Sequence, residues 1–234
     1  MKNKNIINEI SFGKRFLFPN VSVNCESSYI LYTRIDQEIE AEIWNYYLGL
    51  LPQKMQDSVM KYHRWEDRQN TLFGKLLVFV SYYMVYNECL DFNKYLRDSY
   101  GKPFIKNINF EFNISHSSNM VVCVFSKEQV GIDIEEIRKM DFENFNSVFT
   151  RAELDEIKNS DGLKFYELWT AKEAVVKAIG RGLSIPISNI EVMDDYAIYN
   201  DIKWFKEKII WDNYYCTKIS QTKNQKSEII EVKF

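Results

Sequence analysis

The chain has 234 residues, of which 46% are hydrophobic and 27% charged, so it can form a folded core and is not wholly disordered. The formal net charge of −3 excludes the strongly basic surface of a general nucleic-acid-binding protein. No run of residues approaches the ~18–20 apolar positions that a membrane helix needs. The apolar run at 16–18 is too short for a signal peptide. We therefore expect a cytoplasmic protein without nucleic-acid or membrane partners.

The cysteine and histidine content limits the metal and redox chemistry of the chain. Two histidines, His63 and His116, are too few for a multi-histidine metal site. The four cysteines form no C-x-x-C pair, and they are Cys25, Cys89, Cys123 and Cys216. We expect buried free thiols in a reducing compartment.

The first hundred or so residues contain three segments with a clear pattern. They are a strand at 29–35, an amphipathic helix at 39–51 and a long helix at 66–89, where apolar residues recur every three or four positions. Residues 1–28 show no periodicity and are an N-terminal extension without an assigned role. Arg64, Arg68 and Lys75 cluster toward the start of the long helix, which indicates either a solvated face or an anion site.

The rest of the chain alternates strands and helices. The predicted elements are an extended segment from 108, strands at 120–125 and 130–135, a helix at 163–179, and short later strands with turns at 194–195 and 212–213. The polar segment 126–129 predicts a hairpin between the two central strands. Thr150 to Glu153 has the pattern of a capping box that starts a short helix, and Gly180 predicts the end of the longer one.

Two carboxylates lie close together in the segment Gly131–Glu135. Alternate side chains of a strand share a face, so Asp133 and Glu135 point the same way. They repel each other unless a cation binds between them, and Mg²⁺ prefers such oxygen ligands. The alternative interpretation is an exposed strand face.

Two further segments contain residues suited to phosphate chemistry. Glu173 and Lys177 are helical neighbours, and Glu173 lies on the shoulder of the apolar stripe, where a half-buried carboxylate needs a metal or a cationic partner. An ordinary surface pair is the alternative. Ser115 and His116 precede a predicted strand, where they could bind phosphate or cap a turn.

The order of these motifs resembles one family of enzymes. Gly101-Lys102-Pro103, the N-I-S-H-S segment at 113–117, the G-I-D-I-E segment at 131–135 and the W-x-x-K-E-A-x-x-K-A-x-G-x-G-L segment at 169–183 follow one another as in the Sfp-type 4′-phosphopantetheinyl transferases. The resemblance implies an α+β fold of two similar halves, related by a pseudo-twofold axis. They would span 29–128 and 129–234, with the seam near 126–129 and the metal site in the second half.

The resemblance also implies a reaction. The 4′-phosphopantetheine arm of coenzyme A moves to a serine of an apo acyl or peptidyl carrier protein, and adenosine 3′,5′-bisphosphate leaves. One chain with two halves completes its own cleft, so we expect a monomer. Two alternatives are a catalytically silent scaffold that binds coenzyme A or carrier proteins, and a Mg²⁺-dependent nucleotide hydrolase.

Family roles carry over to individual residues of this sequence. The resemblance implies Mg²⁺ ligands at Asp133, Glu135 and Glu173, a pyrophosphate contact and catalytic cation at Lys177, and a proton acceptor at Glu173 or a metal-bound water. It implies coenzyme A contacts at Lys54, Thr71, Lys102, Ser115 and His116, with the 3′-phosphate at Lys54, Thr71 and His116.

Some positions depart from the family pattern, and one segment has two interpretations. Gln69-Asn70 and Asp57 stand where members often carry basic residues, which weakens the assignment of the 3′-phosphate site. The segment 136–142 follows the carboxylate strand and is implied to dock the carrier protein. Its apolar residues, beginning with Ile137, are equally suited to packing under the next helix.

Overall fold

Two five-stranded sheets, each packed against a long helix, form the framework of the chain. The computed structural model describes residues 10–11, 27–139, 145, 147–223 and 225–234. This arrangement confirms the predicted α+β fold of two halves.

The first half contains the long helix predicted near residue 66. Its elements are β1 (Ile10–Ser11), β2 (Ser28–Arg34), α1 (Ala41–Gly49), α2 (Gln53–Met60), α3 (Trp65–Tyr86), β3 (Tyr95–Arg97), β4 (Pro103–Ile105), β5 (Glu111–Ser117) and β6 (Met120–Ser126). Leu72, Leu76 and Val80 of α3 are fully buried, as their spacing predicts. The helix ends where Asn87 adopts the left-handed conformation.

The second half contains the helix that carries Glu173. Its elements are β7 (Val130–Glu136), α4 (Arg151–Lys158), α5 (Leu163–Ile179), β8 (Glu191–Val192), β9 (Tyr196–Tyr199), β10 (Ile202–Trp211), β11 (Tyr214–Ser220) and β12 (Ser227–Lys233). The predicted capping box is present, because Thr150 accepts from the Glu153 backbone and Glu153 accepts from the Thr150 backbone. Both predicted turns, before β9 and before β11, are confirmed.

The last strand of the chain crosses from one half to the other. The first sheet has the order β1-β12-β2-β6-β5, and β12 lies parallel to both β1 and β2. Residues 227–233 therefore complete the sheet of the first half, although they follow the second half in sequence. The second sheet has the order β7-β11-β10-β9-β8.

The predicted hairpin over 120–135 is wrong. Strand β6 pairs with β2 and β5, whereas β7 pairs with β11 in the other sheet, with Val130 opposite Ser220. The polar segment 127–129 therefore carries the chain from one sheet into the other. The faces of β6 and β7 pack together in a shared core that includes Val122, Val124 and Ile132.

Side chains, not a backbone ladder, join the two edge strands β5 and β7. The backbone N–H groups of Ile132, Ile134 and Glu136 donate to Asn113 Oδ1, Ser115 Oγ and Ser117 Oγ at 3.3, 3.4 and 3.0 Å. The two-residue step on both strands shows that they run parallel across the seam. The seam fixes the register of β7, and with it the position of the strand carboxylates.

One glycine lets α5 approach β7 closely. A Cβ atom at Gly131 would lie 2.0 Å from the Ala174 carbonyl oxygen, so a larger residue there would push the helix away from the strand. Because Ala174 is adjacent to Glu173, this close packing brings the helix acid to the strand acids.

The cysteines only partly match the prediction. Cys123 and Cys216 are buried free thiols, as expected, but Cys89 is exposed because it lies in the loop after α3. Cys25 lies outside the described residues. Among the residues that the structure describes, no helix combines the length and apolar character needed to cross a bilayer.

Candidate active site

Asp133 is the most buried of the three predicted metal ligands, with 3% of its surface exposed. Its Oδ1 atom accepts hydrogen bonds from Ser115 Oγ at 2.9 Å and from Lys177 Nζ at 2.6 Å. Its Oδ2 atom is buried without a hydrogen-bond partner among the described residues. A buried carboxylate oxygen without a donor is unfavourable unless a cation binds it.

Glu135 lies two residues along the same strand, on the same face, as the sequence predicted. Its Oε2 atom accepts from Ser117 Oγ at 2.9 Å and its Oε1 atom from Trp169 Nε1 at 3.2 Å. Burial and the negative charge of Asp133 nevertheless raise the pKa of Glu135. The side chain is thus held in place but its charge is not balanced.

Glu173 of α5 is half-buried, as expected, and accepts no hydrogen bond from a described residue. Its pKa is raised by burial and by the charges of Asp133 and Glu135, which Lys177 offsets in part. Two elements distant in sequence therefore bring three carboxylates close enough to oppose one another's ionisation.

The three carboxylates have the chemistry that a hard divalent cation requires. All their donor atoms are oxygen, Asp133 Oδ2 is buried without a partner among the described residues, and the mutual repulsion is the kind that a cation relieves. Within the described ranges, no group of three or more His, Cys, Asp or Glu side chains has the arrangement of a preformed metal site. The carboxylate oxygens of these three residues are the ligand type that Mg²⁺ prefers. In the structure, the cation in contact with Asp133 is the Lys177 ammonium group.

A cavity of about 700 Å³ opens between the two halves. Its wall is formed by α3, the β3–β4 hairpin, β5, α5 and the segment after α5. The wall includes several residues singled out from the sequence, namely Thr71, Lys75, Lys102, His116, Glu173 and Lys177. Asp133 and Glu135 do not line the described wall, but Lys177 connects it to Asp133.

Ser115 and His116 point in opposite directions because they are consecutive strand residues. Ser115 is 4% exposed and accepts from Lys177 Nζ at 2.7 Å, so it positions Asp133 and Lys177 and does not line the described cavity wall. His116 is exposed at the cavity mouth. Desolvation by the surrounding walls and the charge of Lys177 lower the pKa of His116, which favours the neutral imidazole.

Lys102 bridges the two halves. Its ammonium group donates to the Ala178 carbonyl at 2.8 Å and lies 3.4 Å from Glu111 Oε2. The Gln129 side chain donates to the same carbonyl at 2.9 Å, so the loop at 101–103 and the seam both hold the carboxyl end of α5. This placement makes Lys102 a positioning residue at the cavity wall.

Three further residues that the sequence singled out, Lys54, Gln69 and Ile137, do not line the described cavity wall. Lys54 is exposed on α2 and does not line the described cavity wall. Gln69 is used in the fold, where it accepts from the Ile39 N–H at 2.8 Å. Ile137 is partly buried against the cluster around Phe149. Residues 140–142 of the expected carrier-docking segment lie outside the described residues, so that docking role stays a prediction.

One cavity residue, Arg97, was not singled out from the sequence, and another, Lys75, was singled out there only as part of a basic cluster. Arg97 lines the cavity and donates from Nη1 to the Gly101 carbonyl at 2.6 Å. Lys75 lines it from α3 and is 7% exposed, whereas Arg64 of the same basic cluster is exposed and pairs with Glu66. The four-residue spacing from Thr71 to Lys75 is the one signal that places both on the same helix face.

Family models match both halves of the chain. A family model described as the 4′-phosphopantetheinyl transferase superfamily matches residues 129–226, and one described as 4′-phosphopantetheinyl transferase, N-terminal, matches 38–128. The 4′-phosphopantetheinyl transferase gsp of Aneurinibacillus migulanus is 34% identical over 167 residues, which cover 68% of this chain and 69% of the relative. The chain belongs to the 4′-phosphopantetheinyl transferase family.

Other relatives place it more closely within this family. The 4′-phosphopantetheinyl transferase Sfp of Bacillus subtilis is 28% identical, over 68% of this chain and 73% of the relative. The L-aminoadipate-semialdehyde dehydrogenase-phosphopantetheinyl transferase of Schizosaccharomyces pombe is 36% identical over 106 residues, covering 36% of this chain and 41% of the relative. The resemblance to Sfp-type 4′-phosphopantetheinyl transferases is therefore confirmed.

Proposed function

We propose that the protein transfers the 4′-phosphopantetheine arm of coenzyme A to a serine of an apo acyl or peptidyl carrier protein. One observation carries this proposal. Asp133, Glu135 and Glu173, from a strand and a distant helix, converge with Lys177 beside a cavity of about 700 Å³. Family membership supports the same reaction.

The transfer exchanges one phosphorus–oxygen bond for another. The carrier serine oxygen bonds to the phosphorus that bears the pantetheine arm, and the bond from that phosphorus to the departing adenosine 3′,5′-bisphosphate breaks. The serine proton needs an acceptor, and Glu173 lines the cavity without a hydrogen bond from any described residue.

Lys177 is placed to oppose negative charge on the departing phosphate. Lys177 lines the cavity, and its ammonium group is held by Asp133 and Ser115. A cation held in position in advance needs little reorganisation during the reaction. Lys177 therefore supplies charge neutralisation, which is most of what phosphoryl transfer asks of a protein.

Asp133, Glu135 and Glu173 would hold Mg²⁺ in this proposal. The bound ion would supply Lewis acidity and would neutralise the diphosphate of coenzyme A. Because residues from both halves of one chain line the cavity, a single chain completes the proposed site, and we propose that the protein acts as a monomer.

The proposal is tested by incubating the protein with coenzyme A, Mg²⁺ and apo carrier proteins of the acyl and peptidyl types. We expect intact-protein mass spectrometry to detect the added arm on a carrier, and Asp133→Asn to abolish the addition. Binding of coenzyme A with no addition to any carrier would favour the silent scaffold. Turnover of coenzyme A without a carrier would favour the hydrolase.

A further inference from the structure

The last turn of α5 is held by side chains of the first half. The final carbonyl groups of a helix have no N–H partner further along the same helix. In α5 the Lys177 carbonyl accepts from Asn113 Nδ2 at 3.2 Å, and the Ala178 carbonyl accepts from Lys102 Nζ at 2.8 Å. Asn113 lies on β5, so a residue of one half contacts the backbone of Lys177 in the other.

Both groups of the Asn113 amide are used in the protein. Its Oδ1 atom accepts from the Ile132 N–H at 3.3 Å, and its Nδ2 atom donates to the Lys177 carbonyl. An N–H on one side and a C=O on the other fix the orientation of the amide, since only its oxygen accepts and only its nitrogen donates. Asn113 is 5% exposed, so water competes little for either partner.

The amide joins the same two elements that the central ion pair joins. Lys177 Nζ lies 2.6 Å from Asp133 Oδ1, and Ile132 directly precedes Asp133 on β7. The ion pair thus connects β7 and α5 through side chains, whereas Asn113 connects them at the neighbouring backbone. A lysine has a long, flexible stem, so its ammonium group keeps one position only when the backbone that carries it is also fixed.

We propose that Asn113 is a positioning residue for phosphopantetheine transfer, which holds the backbone of Lys177 against β7 and thereby fixes its ammonium group beside Asp133. This inference rests on the proposed function, in which Lys177 opposes negative charge on the departing phosphate. The position requires an amide because its two partners differ. An aspartate would lack the donor for the Lys177 carbonyl, and a leucine would lack both groups.

Direct contact of Asn113 with coenzyme A is the alternative interpretation, because the residue lines the cavity. The two interpretations predict different kinetics. Removing a residue that only binds substrate raises KM, whereas removing one that positions a transition-state contact lowers kcat at a nearly unchanged KM. The backbone partners that the amide already has favour the positioning role.

The test measures kcat and KM for coenzyme A in carrier modification by Asn113→Leu, which is similar in size, and by Asn113→Ala, which is too small to clash. We expect both variants to lower kcat about tenfold to a hundredfold, the effect of a small displacement of a catalytic group. KM should change by less than about threefold. The same substitutions in Lys177→Met should cause little further loss, because the group that Asn113 positions is then absent.

Amide hydrogen exchange followed by NMR measures the contact without any turnover. The Ile132 N–H donates to Asn113, whereas the Glu136 N–H of the same strand donates to Ser117 Oγ at 3.0 Å. In both Asn113 variants the Ile132 amide should exchange faster, while the Glu136 amide stays as slow as in the unchanged protein.

Ser81→Ala is the matched control. It removes another buried polar group of the first half, a hydroxyl that donates to the Leu77 carbonyl of α3 at 2.8 Å. Ser81 does not line the described cavity wall. This variant should keep kcat, KM and the exchange of the Ile132 amide as in the unchanged protein.

Three outcomes would overturn the proposal while the unchanged protein modifies its carrier. A raised KM at unchanged kcat would make Asn113 a ligand contact. An equally large further loss in the Lys177→Met background would show that Asn113 acts through another residue. Unchanged exchange of the Ile132 amide would remove the contact itself. Failure of the unchanged protein to modify any carrier would instead overturn the proposed function, and this inference with it.

Discussion

Lys177 Nζ lies 2.6 Å from Asp133 Oδ1 and joins helix α5 to strand β7 at the centre of the carboxylate group. The contact balances one of three neighbouring negative charges. It leaves Asp133 Oδ2 without a partner among the described residues, and Glu173 without a hydrogen bond from them. The negative charges of Glu135 and Glu173 therefore have no ion-pair partner among the described residues.

Mg²⁺ should stabilise the folded protein by supplying positive charge to these groups. A ligand that binds only the folded state at about 100 times its dissociation constant adds about 2.7 kcal/mol. We expect the melting temperature to rise with Mg²⁺ in a thermal unfolding assay without coenzyme A. The rise should disappear in Asp133→Asn and persist in Glu136→Gln, since Glu136 on the same strand pairs with Arg138. An equal rise in both variants would contradict the assignment.

Two glutamates of α5 should respond in opposite ways to the same substitution. Burial and neighbouring carboxylates raise the pKa of Glu173, so its charge opposes folding, and Glu173→Gln should raise the melting temperature in the absence of metal. Although burial acts against it, Lys206 and Lys164 lower the pKa of Glu167, so Glu167→Gln should reduce the melting temperature.

Activity should separate the same two variants. Transfer should fall by about a hundredfold or more in Glu173→Gln, the usual contribution of a catalytic base, and should remain in Glu167→Gln. Carrier modification followed by mass spectrometry measures both. A fully active Glu173→Gln protein would remove Glu173 from the mechanism.

The local elements could be predicted because their patterns are local. The four-residue spacing of Leu72, Leu76 and Val80 predicted α3, and the two-residue alternation in β7 placed Asp133 and Glu135 on one face. The approach of Glu173 to that face depends on Gly131 and the packing of α5, and the family resemblance was needed to anticipate it.

Long-range pairing could not be read from the same patterns. The short segment 127–129 is typical of a hairpin, but Val130 pairs with Ser220 and its strand lies in the other sheet. The burial of Lys75 was equally hidden, because α3 is covered on more than one face and even Gln69 and Asn70 are buried. Periodicity marks the apolar stripe but not what covers the opposite side of a helix.

Lys75 should give a distinctive dependence of stability on pH. Its pKa is about 8 in the folded protein and 10.5 as the ordinary value, so the unfolded state binds more protons between these pH values. The charge on Lys75 therefore costs no folding free energy above about pH 10.5. The cost grows as pH falls and is complete below about pH 8. Lys75→Met should be more stable than the unchanged protein at pH 7, and the difference should shrink toward pH 10.

Chemical denaturation of both proteins at several pH values measures this difference directly. Burial raises the pKa of the neighbouring Tyr95, so Tyr95 does not titrate in this window. Lys75→Arg remains charged and should lose the pH dependence. A Lys75→Met protein that is less stable by the same amount at every pH would show that Lys75 has a packing role.

Gly180 should be intolerant of a side chain for two separable reasons. It ends α5 in the left-handed conformation with φ of 78°, where an L-residue costs roughly 1–2 kcal/mol. A Cβ atom there would also lie 2.4 Å from Lys102 Cδ. We expect Gly180→Ala to reduce stability in urea unfolding and to reduce transfer, because it displaces the Lys102 contact that holds the end of α5.

A double variant separates the two causes. Lys102→Ala with Gly180→Ala removes the contact at Lys102 Cδ and leaves only the one at Cβ, 3.1 Å away, so its stability should fall by less than the sum of the single changes. The conformational cost remains. Gly49→Ala is the control, since a Cβ at Gly49 meets no atom within 4 Å and the residue belongs to α1, where alanine is favoured. Strict additivity of the two changes would show that Lys102 and Gly180 do not interact, and the link between the loop at 101–103 and α5 would then have to lie elsewhere.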